Sequence, residues 1–321
     1  MVFRNKILYI CFSVNYEFCF IEKFSKTENF FLILTWIIFQ FRLFHPKDIY
    51  SFYLKRLWIF EDSFYLCLVF IKADIMESIK NRRTIRKYKQ EDIPASLLNE
   101  LLEESFRAST MGNMQLYSVI VTKDAAMKAR LAPAHFNQPM VTSAPVVLTF
   151  CADFNRFCKW CEQRKAVPGY NNFISFLNAA SDTLLVTQNF CTLAEEKGLG
   201  ICYLGTTIYN PDQIIDILKL PKLVVPVATI TVGYPDECPP QPDRLPVQGI
   251  VHEETYHDYT SLEIDKLYSY KENLPENKHF VEINHTETLA QIFTDIRYKK
   301  SDNEFMSEGL KKVLKRQGFD D

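Results

Sequence analysis

The hydrophobic positions after residue 90 alternate between stripes with helical spacing and short continuous runs. Ile93-Pro94 opens the first stripe, and proline is favoured in the first turn of a helix. Short runs rich in β-branched residues indicate strands instead. The pattern predicts helices over 94–108, 125–131 and 172–197, a helix beginning at Pro211, strands over 116–121, 146–151, 201–204 and 224–232, and charged helices over 289–298 and 307–315.

The longest predicted helix, Asn172–Lys197, contains neither glycine nor proline. Side chains three, four or seven residues apart lie on one face of a helix, so an apolar series with this spacing indicates a buried face. The apolar series comprises Phe173, Leu177, Ala180, Leu184 and Cys191. We therefore predict a long, heavily buried helix, which Gly198 and Gly200 end.

The predicted elements follow one another in an irregular order rather than as repeated strand–helix–strand units. This order predicts an α+β layered fold with a mixed or antiparallel central sheet. No internal repeat or low-complexity stretch follows Met76. We expect one domain over residues 76–252, with residues 253–321 forming a charged helical arm of that domain.

The composition changes sharply near residue 75. All nine glycines lie after this point, whereas 14 of the 26 phenylalanines lie before it. The apolar run 30–41 has 12 residues, short of the ~20 that a membrane-spanning helix needs. A signal peptide would have a small-residue cleavage site, which is absent. We interpret residues 1–75 as an atypical extension upstream of a start at Met76, with a membrane-associated role as the alternative.

The overall composition is that of an ordinary globular protein, with 47% hydrophobic and 24% charged residues in a chain of 321. The formal net charge of −2 provides no global basic field for a nucleic-acid backbone. The nine cysteines are scattered and odd in number, which favours reduced thiols in a cytoplasmic protein over a disulfide framework. We expect neither nucleic acid nor a membrane as a partner.

The densest local charge is the run from Arg82 to Tyr88, with the sequence RRTIRKY. In an extended segment, alternate side chains point to the same side. Arg82, Thr84 and Arg86 would then form a cluster of guanidinium and hydroxyl donors suited to a phosphate. A run of this kind is also compatible with a solvated surface.

Other motifs in the chain fit catalytic or metal chemistry less well. Gly198-x-Gly200 follows a predicted helix instead of a strand, and Tyr203 occupies the position of the third glycine, so a dinucleotide fingerprint is excluded. Cys158 and Cys161 have no second ligand pair to complete a zinc site. Neither a G-x-S-x-G nor an H-E-x-x-H motif is present. We expect no metal and no catalytic triad.

The arginine run resembles the opening motif of the nitroreductase family, in which a short helix precedes an R-R-S/T-I/V-R stretch. Further segments resemble that family in order and spacing, most closely its flavin-reductase branch, group A, which is NADPH-dependent. These segments are 108–115, 138–145, 151–156, 198–205 and 243–246. The resemblance extends from Met76 to about Gly318.

The resemblance implies an intertwined homodimer with flavin mononucleotide (FMN) at the interface and no catalytic side chain besides the flavin. By position, the FMN-binding residues would be Arg82, Arg83, Thr84, Arg86, Asn113, Gln115, Gln138, Tyr203, Leu204, Gly205 and Arg244. The family branch often has a lysine two positions before the last of these arginines, where this chain has Pro242. This departure puts the source of charge for the reduced flavin in doubt.

The implied activity is ping-pong hydride transfer from NAD(P)H through FMN to nitro compounds, quinones or flavins. Two alternatives remain open at this point: a dedicated flavin reductase that releases its product, and a non-catalytic, flavin-binding redox sensor. The choice between NADPH and NADH also stays open, since the stretch before Thr286 offers Lys278, His279 and His285 but no arginine for a 2′-phosphate.

Overall fold

The computed structural model describes residues 9–12, 18–21 and 77–320. The chain divides into two units, Met1–Ile75 and Met76–Asp321. In the first unit, strand β1 (Tyr9–Phe12) pairs antiparallel with β2 (Phe18–Ile21). The rest of the predicted extension 1–75 lies outside the described residues, so its interpretation stays a prediction.

The second unit contains helices on both sides of one four-stranded sheet. The helices are α1 (Glu77–Lys80), α2 (Ala95–Ser105), α3 (Ala125–Leu131), α4 (Pro139–Ser143), α5 (Asn155–Gln163), α6 (Phe173–Glu196), α7 (Pro211–Leu218), α8 (Ser261–Asn273), α9 (Pro275–Ile283), α10 (Leu289–Gln291) and α11 (Lys300–Gln317). The strands are β3 (Tyr117–Thr122), β4 (Val146–Asp153), β5 (Gly200–Leu204) and β6 (Val224–Gly233).

The sheet has the order β3-β4-β6-β5, and every pairing in it is antiparallel. The two central strands, β4 and β6, are buried along nearly their whole length. An irregularity between Phe150 and Cys151 shifts the register of β4 against β6. The α+β prediction is therefore confirmed, and the sheet is antiparallel rather than mixed.

Apolar side chains form cores on opposite faces of the sheet. On one face, Leu101 of α2 and Phe190 of α6 pack with Phe150 and Ile230. On the other face, α3, α4 and α7 pack against Leu204. Because neighbouring residues of a strand point to opposite faces, β5 supplies side chains to both cores.

The buried face of α6 differs from the predicted one. Phe173, Leu177 and Leu184 are 57%, 41% and 46% exposed, although the apolar series assigned them to the core. The helix instead buries the face that carries Val186 and Phe190, together with the predicted Cys191. Apolar residues occur on more than one side of α6, and spacing alone cannot decide which side faces the core.

The C-terminal segment is more helical than its sequence pattern predicts. The predicted helix 289–298 is α10 followed by a π-helix over Ile292–Arg297, and the predicted helix 307–315 extends over the whole of α11. Gln317 anchors α11 by donating from Nε2 to the carbonyl of Val224 at 2.6 Å. None of the helices in the described part of the chain combines the length and apolar composition that crossing a bilayer requires.

Candidate functional site

The arginine run lies against strand β5, at one edge of the sheet. The amide of Ile85 donates to the carbonyl of Ile201 at 3.0 Å, and the Ile85 side chain is buried. A Cβ atom at Gly200 would come within 2.7 Å of the Ile85 side chain. Only glycine at position 200 therefore permits this approach, which fixes the run beside the strand.

The three arginines of the run differ in their surroundings. Arg82 directs Nε toward Glu195 Oε1 at 3.8 Å. Arg83 donates from Nη1 to Cys238 Sγ at 3.0 Å and to the carbonyl of Pro239 at 3.1 Å. Arg86 is exposed, and its guanidinium has no hydrogen-bond partner among residues 77–320. Arg86 is thus the arginine best placed to bind a ligand, while Arg83 holds the neighbouring loop.

Glu195 near the end of α6 is an acidic neighbour of Arg82 with an unusual environment. Its side chain is only 11% exposed. Burial raises the pKa of Glu195 to about 7, and the positive charge of Arg82 opposes that rise. Because the carboxyl group of Glu195 titrates near neutrality, it competes for Arg82 as a negative charge only above about pH 7. The attraction of Arg82 for a bound anion therefore depends on pH.

The loop after β6 runs beside the arginine segment and holds its backbone. Oε1 of Glu237 accepts hydrogen bonds from the amides of Arg86 at 2.5 Å and Lys87 at 3.0 Å. The amide of Lys89 donates to the carbonyl of Tyr234 at 2.9 Å. The arginine run is therefore held between β5 and this loop, with half-buried Thr84 near its centre.

The turn after β5 opens onto free space. Leu204 is buried, whereas no heavy atom lies within 4 Å of the position that a Cβ atom would take at Gly205. Tyr203 is half-buried, and burial raises the pKa of its hydroxyl. A planar group could approach the backbone at exposed Gly205, whereas the next two residues, Thr206 and Thr207, are buried.

A buried histidine supports the turn from inside. Nδ1 of His135 lies 2.9 Å from Oγ1 of Thr206, the residue after Gly205. Burial lowers the pKa of His135 to about 4, so the imidazole is neutral at pH 7. Gln138 follows at the start of α4, where its amide donates to the carbonyl of His135 at 3.2 Å. This histidine connects the segment of Gln138 with the turn.

Asn113 and Gln115 lie together in an exposed loop between α2 and β3. Both adopt left-handed backbone conformations, with φ angles of 56° and 54°. Nε2 of Gln115 lies 3.4 Å from Oδ1 of Asn113. The guanidinium of Arg156 donates to the carbonyl of Gln115 and, at 3.1 Å, to that of Tyr117. The loop is therefore held in one shape while its two amide side chains stay accessible.

Arg244 lies apart from the other predicted residues in its contacts. It is exposed and donates to the carbonyl of Asp243 at 2.8 Å. Asp243 in turn pairs with Lys271 of α8 at 3.1 Å. No hydrogen bond or ion pair within residues 77–320 joins Arg244 to the arginine run or to the turn. Lys271 therefore lies beside the residue that follows Pro242, and Asp243 pairs with its charge.

One cavity, of about 640 Å³, adjoins only part of this site. Its lining includes Gln115, Tyr117 and Arg156, but neither the arginine run nor the turn after β5. Arg86 and Gly205 are exposed, whereas Arg82, Thr84 and Tyr203 are half-buried.

Three site residues escaped prediction from the sequence: Glu195, His135 and Asp182. Asp182 accepts hydrogen bonds from the loop that carries Asn113 and Gln115. The sequence contains a feature that could have identified Asp182, because it is the only charged residue in α6 before Glu195. A charged side chain on the buried face of a helix needs hydrogen-bond or ionic partners.

Comparison with known proteins agrees with this architecture. Residues 79–234 match the family model described as Nitroreductase family. The crystal structure of a candidate oxidoreductase from Bacteroides fragilis NCTC 9343 is 71% identical, with a TM-score of 0.76, and the match covers 77% of this chain and all of that one.

Two curated proteins of Bacillus subtilis (strain 168) are also similar. The protein named FMN reductase (NADPH) is 32% identical over 184 residues, which cover 57% of this chain and 74% of that protein. The protein named FMN reductase [NAD(P)H] is 28% identical over 253 residues, which cover 77% of this chain and 98% of that protein.

The fold and the site define a class: α+β proteins with an antiparallel sheet and an arginine run along its β5 edge. Within that class, the matches above are extensive enough to fix the family. The chain belongs to the nitroreductase family. The family predicted from the sequence motifs is thereby confirmed.

Proposed function

We propose that this protein is an FMN-dependent oxidoreductase that uses NAD(P)H to reduce nitro compounds, quinones or flavins. The observation that carries the proposal is the arginine run held against β5 by Ile85, with Thr84 and Arg86 free to bind an anion. The relatives named FMN reductase support both FMN and the nicotinamide donor.

The side chains present fit FMN. Arg82, Thr84 and Arg86 supply charged and hydroxyl donors for a phosphate beside Ile201. Gly205 directly follows β5. It is four residues beyond Ile201, a separation of about 13 Å at the rise of an extended strand. This separation accommodates a ribityl chain between a phosphate at the run and a ring at the turn.

The mechanism requires the protein to bind and orient rather than to react. Bound FMN would supply the hydride chemistry, accepting a hydride from the nicotinamide and passing it to the acceptor. Arg82, Thr84 and Arg86 would hold the phosphate, with Arg83 bracing the loop at Cys238 and Pro239.

The remaining predicted residues would orient the ring. Asn113 and Gln115 would donate hydrogen bonds from their side-chain amides, and Gln138 would contact the ribityl chain or the ring. Tyr203, Leu204 and Gly205 would line the ring with backbone groups, and Arg244 would approach the phosphate or the pyrimidine side. Donors placed where negative charge develops stabilise that charge without reorganisation.

The donor and the acceptor would bind in turn at one place. Hydride transfer requires the reacting atoms to approach within about 3–3.5 Å, and two planar molecules cannot stack on the same face together. We therefore expect ping-pong kinetics, in which the oxidised nicotinamide leaves before the acceptor binds.

A second copy of the chain would complete the site. The exposed side of α6 carries Phe173, Ile174, Leu177, Leu184 and Leu185, each at least 41% exposed. Apolar surface of this extent on a central helix is typical of an obligate interface. The proposed homodimer is tested by light scattering after gel filtration, where Leu185→Asp should yield monomers and Lys159→Asp, at an exposed position of α5, should not.

We place the enzyme in the cytoplasm as part of the same proposal. The six cysteines within residues 77–320 are free thiols. Burial raises the pKa of Cys158 to about 11 and that of Cys191 to about 12. Buried, protonated thiols of this kind suit a reducing compartment.

The test is an absorption spectrum of the purified full chain, before and after anaerobic mixing with NADH or NADPH. We expect a flavin spectrum that either nicotinamide bleaches and that a nitroarene or quinone restores. Double-reciprocal plots at several acceptor concentrations should be parallel. Intersecting plots would exclude the single-site scheme.

The relatives' names favour one further activity, a dedicated flavin reductase. It is distinguished by ultrafiltration after reduction, since a dedicated reductase releases its flavin as product whereas an FMN-dependent enzyme retains it. A protein that binds flavin but is bleached by neither nicotinamide would be a redox sensor, and the proposed activity would be wrong.

A further inference from the structure

We propose that Asp182 is the positioning residue that sets the loop 110–116 in its flavin-binding shape. The inference rests on the proposed function, because Asn113 and Gln115 of this loop are its proposed contacts with the flavin. Asp182 would not touch the flavin. It would act by fixing the backbone that aims these two side-chain amides.

Asp182 lies in the middle of α6 and is 3% exposed. None of the ion pairs within residues 77–320 includes Asp182. A buried carboxylate without a cationic partner is stable only when hydrogen-bond donors surround it. The donors that surround Asp182 identify its role, because all three belong to the loop.

Both carboxylate oxygens receive hydrogen bonds from the loop. Oδ2 accepts from the hydroxyl of Thr110 at 2.5 Å and from the amide of Leu116 at 3.3 Å. Oδ1 accepts from the amide of Met111 at 2.9 Å. Asp182 therefore links Thr110 and Leu116, the first and last residues of the loop, through one carboxylate.

Thr110 carries the effect of Asp182 to Gln115. While its hydroxyl donates to Asp182, its oxygen accepts a hydrogen bond from the amide of Gln115 at 2.9 Å. A hydroxyl can donate one and accept another hydrogen bond, so the donation to Asp182 fixes the lone pairs that Gln115 uses. The carboxylate thus determines the backbone position of Gln115 through one intervening side chain.

The loop needs such a restraint because its backbone is strained. Gly112, Asn113 and Gln115 have φ angles of 52°, 56° and 54°. Side chains other than glycine disfavour this region, and it persists only where surrounding contacts determine it. Without Asp182, Asn113 and Gln115 would relax toward ordinary backbone conformations and redirect their side-chain amides.

A carboxylate performs this task better than its neutral analogue. Asparagine has one acceptor oxygen, and its amide nitrogen would face a donor, either Met111 N or the pair formed by Thr110 and Leu116. Asp182→Asn therefore conserves the size of the side chain but cannot accept all three hydrogen bonds from the loop. Thr110→Val removes the relay to Gln115 and one of the three donors to Asp182, but leaves the donations from Met111 and Leu116. Thr110→Ser keeps the hydroxyl and lacks only the methyl group.

The experiment compares these three variants with the wild-type full chain in two measurements. Hydrogen exchange of the flavin-free proteins reports the loop directly: the amides of Met111, Gln115 and Leu116 should be protected in the wild type and in Thr110→Ser. All three should lose protection in Asp182→Asn, whereas in Thr110→Val the loss should be largest at Gln115, because Met111 and Leu116 keep their acceptor on Asp182. A wild type without protection at these amides would overturn the proposal.

The second measurement is the visible circular dichroism of bound FMN and its anaerobic bleaching by NAD(P)H. Misaligned groups slow transfer steeply, so Asp182→Asn should bleach about 10- to 100-fold more slowly with an altered dichroism. Thr110→Val should change in the same direction by less, and Thr110→Ser should behave as the wild type. The ratio of FMN to riboflavin affinity should stay unchanged, because the phosphate donors are untouched.

The outcomes separate this proposal from the proposed function. Suppose that the wild type binds FMN and that NAD(P)H bleaches it. If the bleaching rate of Asp182→Asn is then within about twofold of the wild-type rate, Asp182 does not position the loop. If Asp182→Asn is insoluble, the two variants of Thr110 provide the test. The proposal is then overturned if Thr110→Val and Thr110→Ser show the same dichroism of bound FMN and the same bleaching rate. A wild type that binds no flavin but protects the loop refutes the proposed function and, with it, the flavin role of Asp182.

Discussion

Glu195→Gln should stabilise the protein increasingly as the pH rises. The Glu195 carboxyl is 11% exposed and lies 3.8 Å from Arg82, and burial raises its pKa from 4.5 to about 7. A raised pKa means that folding favours the protonated form. The stability from this carboxyl is fully present below pH 4.5 and is lost as the pH rises through about 7.

The magnitude follows from the size of the shift. Each pKa unit corresponds to 1.36 kcal/mol, so a shift of this size corresponds to about 3 kcal/mol of lost unfolding free energy above pH 7. Glutamine has a similar shape and no charge to bury. For a domain of this size, the variant should melt about 6–12 °C higher than the wild type at pH 8, with a much smaller difference at pH 5.

The assay is thermal unfolding of both proteins from pH 5 to pH 8.5 without added flavin. Glu196→Gln serves as the matched control, because Glu196 is the exposed neighbour of Glu195 on the same helix, and it should leave the difference near zero. A difference between Glu195→Gln and the wild type that stays constant with pH would refute the reasoning. FMN affinity should rise above pH 7 in the variant, since Arg82 loses a competing anion.

Further substitutions test other parts of the site and the domain boundary. Arg86→Ala should weaken FMN binding by about 1.5–3 kcal/mol, roughly 10- to 150-fold, through loss of a charge-assisted contact, and should leave riboflavin binding nearly unchanged; equal weakening of both, measured by fluorescence titration, would assign the arginine another role. His135→Asn should make the stability less dependent on pH between 6.5 and 4. In the wild type this histidine has a pKa of about 4 and must take up a proton on unfolding, so the unfolding free energy falls by about 3 kcal/mol over that range. An equal fall in both proteins, measured by urea unfolding, would contradict this. Gly200→Ala should destabilise the fold by about 1–3 kcal/mol because the new methyl group meets the buried isoleucine of the arginine run at 2.7 Å, and an unchanged melting temperature would contradict that contact. A chain beginning at Met76 should fold, dimerise and bind flavin as the full chain does, and an insoluble or colourless product would reinstate residues 1–75 as structure.

The sequence predicts those elements whose burial follows a simple period. Strands β4 and β6 are continuous apolar runs because both of their faces are covered, and they were predicted nearly to their ends. Helices α8 and α9 were not predicted individually within the helical arm 253–321, and neither has a buried residue. A helix without a buried stripe leaves no apolar period in the sequence, although Thr260 and Glu263 form a capping box at the start of α8.

In the candidate site, residues that are adjacent in sequence could be predicted, whereas those that meet only in the folded chain could not. The arginine run could be found because its charges are adjacent in sequence. Asp182 could not be assigned a role because its partners lie 66 to 72 residues away. His135 and Thr206 likewise meet only through the folded chain, 71 residues apart. Local motifs identify the groups that could contact a phosphate, whereas the supporting contacts depend on tertiary structure.

The hydrogen bond between Ile85 and Ile201 also determines when the site can assemble during synthesis. The two residues are 116 positions apart, so at 5–20 residues per second the ribosome needs roughly 6 to 23 s to reach the second after the first. Throughout that interval the nascent arginine run has no strand to dock on, and closing so long a loop carries an entropic cost. FMN would therefore be a late ligand, captured after translation of β5 rather than a nucleus around which the chain folds.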